Sequence, residues 1–340
     1  MDGYVPGEQP RDRRYIKLNT NENPYPPSPR VLEALRRAVS DDLRLYPDPT
    51  ATDLRDKAAE VYGVLPDRIV VGNGSDDLLG MLFRACVDGD DGSVAYAVPT
   101  YSLYDTLALI QGAEPKTVPY PADFMLPVDD LVALGARLTI VCSPNSPSGT
   151  LAPLSAIDDL ARRARGLVVV DEAYVDFAKE TALSLLARRP NVVVLRTFSK
   201  SFSLAGMRVG LAFASPDVIH QLGKVKDSYN LDRLSLVAAR AALDDCAWMQ
   251  ANVAKVQTAR TELIAQLREL GFRVLPSDAN FVFAESPTHA GEELYRKLRE
   301  AGILVRYFAD ADLGAGVRIT VGMPDENSAL VAALRSFATH

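Results

Sequence analysis

Cysteine is scarce in this 340-residue chain: Cys86, Cys142 and Cys246 are the only three, widely spaced and odd in number. Without a CxxC pair they exclude a zinc ribbon and a disulfide framework, and they fit a reducing compartment. Basic residues do not predominate either. The 37 Lys and Arg stand against 44 Asp and Glu, a formal net charge of −7. That excludes a general affinity for nucleic acid or anionic membranes, so an anionic ligand must be gripped by particular arginines. No run approaches the roughly 20 apolar residues of a membrane helix. The opening "MDGYVPGEQPRDRR" has no apolar signal region, which makes the cytoplasm the expected location. The chain contains no GxGxxG and no Walker lysine, which weakens dinucleotide and ATP readings. Histidine is rare: His220, His289 and His340 lie outside every motif and are expected to be solvated. The acid-rich "VDGDDGS" (Val87 to Ser93) has the wrong ligand order for a calcium loop and is expected to be a helix-to-strand turn. No metal site is expected.

What the chain has is a series of short aliphatic runs separated by helical patterns. "RIVVG" (68–72), "SVAYA" (93–97), "LTIVC" (138–142), "LVVVD" (167–171), "VVVLR" (192–196) and "VGLAF" (209–213) read as strands buried on both faces. Amphipathic segments such as "SDDLLGMLFRACV" and "SAIDDLARRAR" lie between them, so the alternation predicts an open α/β sheet. After about Leu234 a long helical stretch runs to Leu270. The strand candidates "RVLP", "NFVFA", "GILVR" and "VRITVG" follow, with a helix "AGEELYRKLREAG" among them, a small α+β unit. The helix over Ser28–Ser40, opened by Ser-Pro, is expected to pack on that unit. The predicted division is a large domain over 50–236 and a discontinuous small domain over 1–49 and 237–340.

Ligands of open α/β sheets bind beyond the carboxyl ends of the strands, and four features fall at such ends. "GNGSDD" (72–77) is a glycine-rich turn into a helix whose free N–H groups suit a phosphate. "SPNSPSG" (143–149) is a rigid turn carrying Asn145. "DEAYVDF" (171–177) sets Asp171 at the end of an apolar strand, costly unless the carboxylate is paired. "TFSKSFSLAGMRVG" (197–210) leaves a buried strand through Ser199, Lys200 and Arg208. Each has a bland reading as a turn or a surface charge. In combination they supply what pyridoxal phosphate (PLP) chemistry asks of a protein: a Schiff-base lysine, an anion for the pyridinium nitrogen and a phosphate cradle from Ser75, Asp76, Ser199 and Arg208.

In the motifs "NTNENPYPPSP", "YPDP", "GNGSDD", "VPTYSLY", "SPNSPSG", "DEAYVDF", "TFSKSFSLAGMRVG", "NFVF", "GILVRYF" and "VRITVG" the chain resembles the fold-type I PLP-dependent aminotransferases over nearly its whole length, and among them the histidinol-phosphate branch. The resemblance implies a large, mostly parallel seven-stranded α/β/α domain with a small α+β domain. It implies that Lys200 carries the cofactor and that Asp171 faces the ring nitrogen. Asn145 and Tyr174 would hold the phenolic oxygen, Tyr101 would stack on the ring, and Tyr46 would reach the phosphate in a neighbouring subunit of a homodimer with shared sites. Arg318 resembles the carboxylate-binding arginine, Arg306 the second anion-binding arginine, and Tyr4 and Asn23 fall among the implied substrate contacts. Asp77 stands where the family pattern has glutamate.

The activity so implied is amino transfer between L-histidinol phosphate and 2-oxoglutarate, giving imidazole-acetol phosphate and L-glutamate in histidine biosynthesis. An aromatic-amino-acid aminotransferase and a threonine-phosphate decarboxylase share most of the motifs. A non-catalytic ligand sensor of the same fold is disfavoured, because every catalytic position is filled and no helix-turn-helix segment is seen ahead of the fold.

Overall fold

The computed structural model of the protein describes residues 7–87, 92–309 and 313–337. Its strands are β1 (Ile16–Lys17), β2 (Ile69–Gly72), β3 (Val94–Val98), β4 (Lys116–Pro119), β5 (Leu138–Cys142), β6 (Leu167–Asp171), β7 (Val192–Thr197), β8 (Gly210–Phe213), β9 (Arg273–Val274), β10 (Phe281–Glu285), β11 (Ile303–Leu304), β12 (Arg306–Tyr307) and β13 (Gly316–Thr320). Its helices are α1 (Pro29–Ala38), α2 (Thr52–Tyr62), α3 (Gly74–Cys86), α4 (Leu103–Ile110), α5 (Val128–Ala133), α6 (Leu154–Arg163), α7 (Pro216–Val225), α8 (Arg233–Leu243), α9 (Cys246–Glu269), α10 (Gly291–Glu300) and α11 (Pro324–Phe337).

The large sheet runs in the order β2-β8-β7-β6-β5-β3-β4. Only β8 opposes its neighbours; the pairs from β7 to β4 are all parallel. Every residue of β2, β5, β7 and β8 is buried, the consequence of aliphatic runs covered by helices on both faces. All six expected strands are present. The seventh, β4, was not legible: "KTVP" is largely exposed at the sheet edge and has no apolar run.

The C-terminal residues form a second sheet, β12-β13-β10-β9, antiparallel throughout and backed by the core of α9, α10 and α11. The segment "GILVR" serves two sheets. Its Ile303–Leu304 pairs in parallel with β1, while Arg306 begins β12. Helix α1 starts as expected, with the Ser28 hydroxyl accepting the Arg30 N–H at 3.1 Å and Pro29 in the first turn. It docks on α8, which straddles the predicted boundary between the two domains. Its apolar face, Val31 and Leu35, packs on α8 and joins the core that holds Leu54, Ala58 and Ala238, because that face meets an apolar partner there.

His289 also departs from expectation. Its Nε2 accepts from the Lys297 ammonium at 2.7 Å, its Nδ1 shares a hydrogen bond with the Thr288 hydroxyl at 2.8 Å, and its side chain is 11% exposed, so it is packed, not solvated. His340, Tyr4 and most of the "VDGDDGS" turn lie outside the described residues.

Candidate active site

The carboxyl ends of β2, β3, β5, β6 and β7 deliver their motifs to one region. Asp171 ends β6, and Cys142, its register partner on β5, leads into the Asn145 turn. The Asp171 carboxylate is 3% exposed. One oxygen accepts the Tyr104 hydroxyl at 2.8 Å and the other the Ala173 N–H at 3.3 Å. It makes no ion pair among the described residues, and burial pushes its pKa up to about 6 against the opposing pull of the Tyr104 bond.

Lys200 follows β7. Its Nζ donates to the Thr20 backbone carbonyl at 3.3 Å and lies 5.6 Å from the centre of the Tyr174 ring. Burial, with the nearby Arg318 charge, brings its pKa down to about 8. The Tyr174 hydroxyl accepts from the Asn21 amide at 3.0 Å, and burial pushes that phenol up to about 12. Asn145 is buried and fully engaged. Its oxygen accepts the Thr100 hydroxyl at 2.7 Å and its nitrogen donates to the Ser148 hydroxyl at 3.0 Å and the Pro99 carbonyl at 3.2 Å.

Arg208 and the start of α3 form the candidate anion cradle. The Arg208 guanidinium donates to Asp76 at 3.0 Å and to the Ser199 hydroxyl at 3.3 Å. Tyr101 donates to the other Asp76 oxygen at 3.3 Å. The start of α3 presses on this loop so closely that a Cβ on Gly74 would lie 2.7 Å from Arg208 Nη2. Gly74 also has φ +80, a conformation that side-chain-bearing residues rarely adopt. A Cβ on Gly210 would meet the Ser75 nitrogen at 2.7 Å. Glycine at both places lets a helix N-terminus with its free N–H groups sit against a guanidinium and a serine.

Two arginines lie on the small sheet. Arg306 and Arg318 are direct register partners on β12 and β13, so their side chains share a face. Both guanidinium carbons sit over the Phe308 ring, at 5.4 and 5.5 Å from its centre. Arg318 donates to the Ser146 hydroxyl and the Asn19 carbonyl, each at 3.0 Å, which joins the small sheet to the Asn145 turn. Asn23 spends its amide on the Ser201 carbonyl, at 3.0 Å, and its oxygen on the Tyr25 N–H. It thereby ties the N-terminal segment to the lysine loop. Tyr46 stands apart from this constellation, 78% exposed and stacked on Tyr229 at 4.4 Å.

Sequence reasoning missed several residues the fold brings in. Asn21 and Thr320 orient Tyr174, Thr100 braces Asn145, and Tyr104 holds Asp171. Arg196 is buried between Glu172 and Asp176, at 3.0 and 2.8 Å, and Asp176 also accepts the Ser201 hydroxyl. The "NTNENP" motif and a second tyrosine in "VPTYSLY" carried the available signal. Their partners lie far away in sequence.

These residues fit pyridoxal phosphate. A buried carboxylate with no ion pair among the described residues matches a pyridinium, a lysine brought down to about 8 matches an aldehyde, and the Gly74–Arg208 cradle matches a phosphate.

The comparisons agree. The family model for class I and II aminotransferases matches residues 13–334. Histidinol-phosphate aminotransferase of Citrifermentans bemidjiense is 48% identical over 336 residues, covering 98% of this chain and 95% of that protein. The protein of that name from Syntrophotalea carbinolica is 49% identical over 335 residues, covering 98% and 96%. The crystal structure of histidinol-phosphate aminotransferase from Sinorhizobium meliloti, in complex with pyridoxal-5'-phosphate, superposes with a TM-score of 0.87 at 29% identity, covering 94% of this chain and 91% of that one. The chain thus belongs to the class I and II aminotransferases, in the branch of the histidinol-phosphate aminotransferases.

Proposed function

We propose that the protein is a PLP-dependent transaminase that moves the amino group of L-histidinol phosphate to 2-oxoglutarate, giving imidazole-acetol phosphate and L-glutamate in histidine biosynthesis. The observation that carries this reading is the pair Arg306 and Arg318, two guanidinium groups on one face of the small sheet, with Arg318 close enough to depress the Lys200 amine. Glutamate and 2-oxoglutarate bear two carboxylates, and histidinol phosphate and its ketone bear a phosphate of nearly two charges, so a pair of guanidinium forks suits either partner.

Asp171 would hold the ring nitrogen, Tyr174 and Asn145 the phenolic oxygen, Asn145 by giving up its amide bond to Ser148 or Pro99, and Tyr101 the ring face. The phosphate would be held by Ser75, Ser199, Arg208 and the amide of Asp76, whose carboxylate already pairs with Arg208. When bound, PLP supplies an aldehyde for amine linkage and a protonated ring that withdraws electrons from the substrate carbon. Arg318 would bind the α-carboxylate of glutamate or 2-oxoglutarate and Arg306 their second carboxylate, and the two would share the phosphate of histidinol phosphate; Asn23 and Tyr4, the latter outside the described residues, are the further substrate contacts of this reading. The Lys200 amine would take the proton from the substrate α-carbon, hold it as the ammonium, and give it back from the same side of the site as the amino group is transferred. Its depressed pKa keeps a useful share of it neutral near pH 7.

The reading includes a cytoplasmic homodimer in which the partner subunit's Tyr46 completes the phosphate site; the exposed Tyr46–Tyr229 pair supports it. Among the described residues no helix is long and apolar enough to cross a membrane. The domain boundaries we favour are 50–236 and 1–49 with 237–340, with α1 docked across them on α8. A coupled glutamate assay across amino donors tests the substrate. Histidinol phosphate should exceed phenylalanine and tyrosine in kcat/KM by at least about tenfold, and the reverse order overturns the assignment.

A further inference from the structure

Tyr104 is fully buried, yet it carries a hydroxyl, and burying a phenolic oxygen costs free energy unless that oxygen is bonded. Its partner is Asp171, at 2.8 Å. The ring around that hydroxyl is locked in place. Tyr96 and Tyr101 pack edge-on against it, with ring centres 5.5 and 5.6 Å away. Tyr104 therefore touches two residues of the cofactor site at once, the carboxylate through its oxygen and Tyr101 through its ring.

We propose that Tyr104 is a positioning residue for the ring-nitrogen site, whose O–H fixes one oxygen of Asp171 and lowers the proton affinity of that carboxylate, so that the proton shared with the cofactor stays on the ring nitrogen. This rests on the reading of Asp171 as the ring-nitrogen partner. A carboxylate has about four lone-pair directions, and the protein uses two, one per oxygen, through Tyr104 and Ala173. A hydrogen bond to a carboxylate stabilises its charged form over its protonated one. The other ionisable groups facing Asp171 are Asp76 on α3, which works against its charge, Lys200, which works for it, and Cys142 and Tyr174. The last two are pushed up to about 12 and are neutral at working pH. Burial dominates, so the carboxylate stands near the point at which it would hold a proton itself. The neutral Tyr104 donor opposes that burial without placing a second cation beside the pyridinium.

The test uses the holoenzyme reconstituted with PLP labelled with nitrogen-15 at the ring position, read by NMR at pH 7.5. Wild-type protein should show a protonated ring nitrogen. Tyr104→Phe keeps the ring–ring contacts and removes only the hydroxyl. Its resonance should move towards the unprotonated value, the proton distribution changing by about tenfold, equivalent to about one pKa unit. A second readout is the infrared band of the protonated Asp171 carboxyl in cofactor-free protein, assigned by its loss in Asp171→Asn. Its midpoint pH should rise by about one unit in Tyr104→Phe. It should fall when residue 104 is 3-fluorotyrosine, a stronger donor of nearly the same shape. If Tyr104→Phe does not fold, the direction of the fluorotyrosine shift decides, and an unchanged midpoint overturns the proposal. A folded Tyr104→Phe protein with wild-type values in both readouts also overturns it, while leaving the role of Asp171 intact. An unprotonated ring nitrogen in the wild-type holoenzyme overturns that role itself.

Discussion

The ε-amine of Lys200 donates to the main-chain carbonyl of Thr20 at 3.3 Å, a neutral acceptor and not a carboxylate. No ion pair among the described residues compensates the buried charge, and the nearby Arg318 adds to the cost, so the amine loses its proton near pH 8 in place of its usual 10.5.

Two outcomes follow for the cofactor-free protein. Only the neutral amine attacks an aldehyde, so the rate of PLP uptake, followed by visible absorbance, should rise about tenfold from pH 7 to a plateau above about pH 9, set by a midpoint at about 8. For stability the sign is that of a base depressed on folding. Between about pH 8 and 10.5 the unfolded chain holds more protons, so stability gains with pH across that window, and below it the charged amine is destabilising. Lys200→Met should raise the melting temperature at pH 7 and give no gain above about pH 10.5. A Lys200→Met protein that never becomes yellow, and in which borohydride fixes no cofactor, checks the linkage itself. A cofactor adduct mapped to another lysine in the wild-type protein would falsify it.

Arg306 and Arg318 separate by substrate. Charge-assisted hydrogen bonds contribute about 1.5–3 kcal/mol each. Arg306→Ala should therefore lower kcat/KM for histidinol phosphate by at least about tenfold, with much less effect on phenylalanine, whose carboxylate carries one charge where the phosphate carries nearly two. Arg318→Ala should damage both donors, and it also loses the bonds to Ser146 and Asn19. Equal losses for both donors in Arg306→Ala would reduce Arg306 to a scaffold residue and put an aromatic aminotransferase ahead.

Beneath the lysine loop, the Arg196 side chain is 9% exposed and pairs with Glu172, which is 2% exposed, and with Asp176. Removing one partner of a buried ion pair leaves an uncompensated charge and costs about 3–5 kcal/mol. Arg196→Ala should lower the thermal midpoint sharply, and by more than Arg162→Ala, whose pair with Asp159 is at the surface. Similar shifts in the two variants would show that the buried pair carries no special share of the stability.

Subunit sharing has a complementation test. An inactive Lys200→Ala chain mixed with an inactive Tyr46 variant should regain activity, because one site of the hybrid dimer holds both residues. Full activity in a protein that sediments as a monomer would remove Tyr46 from the site.

The large sheet was legible because its strands are buried on both faces, and a strand so placed must be aliphatic throughout, as "VVVL" in β7 is. The exposed edge strand β4 is under no such demand, and its sequence says nothing about it. The anion cradle was half legible. Glycines at 72 and 74 announced a turn, but only the fold shows that Gly74 and Gly210 must lack side chains for α3 to reach Arg208.

The sequence by itself determined which candidate residues stand at the strand ends, because strand ends in an open α/β sheet converge and each carried a distinct motif. Tertiary structure decided the environment of those residues. Asn21 meets Tyr174 across 153 positions of sequence, Arg318 meets Ser146 across 172, and Tyr104 meets Asp171 across 67. Helix α1 shows the same limit. Its apolar stripe says that one face will be buried, and only the packing shows that α8 is what buries it. Local patterns fix periodicity and caps through neighbours a few residues away. The shift of Asp171 towards 6 and of Lys200 towards 8 comes from burial and from charges supplied by other strands, which no local pattern encodes.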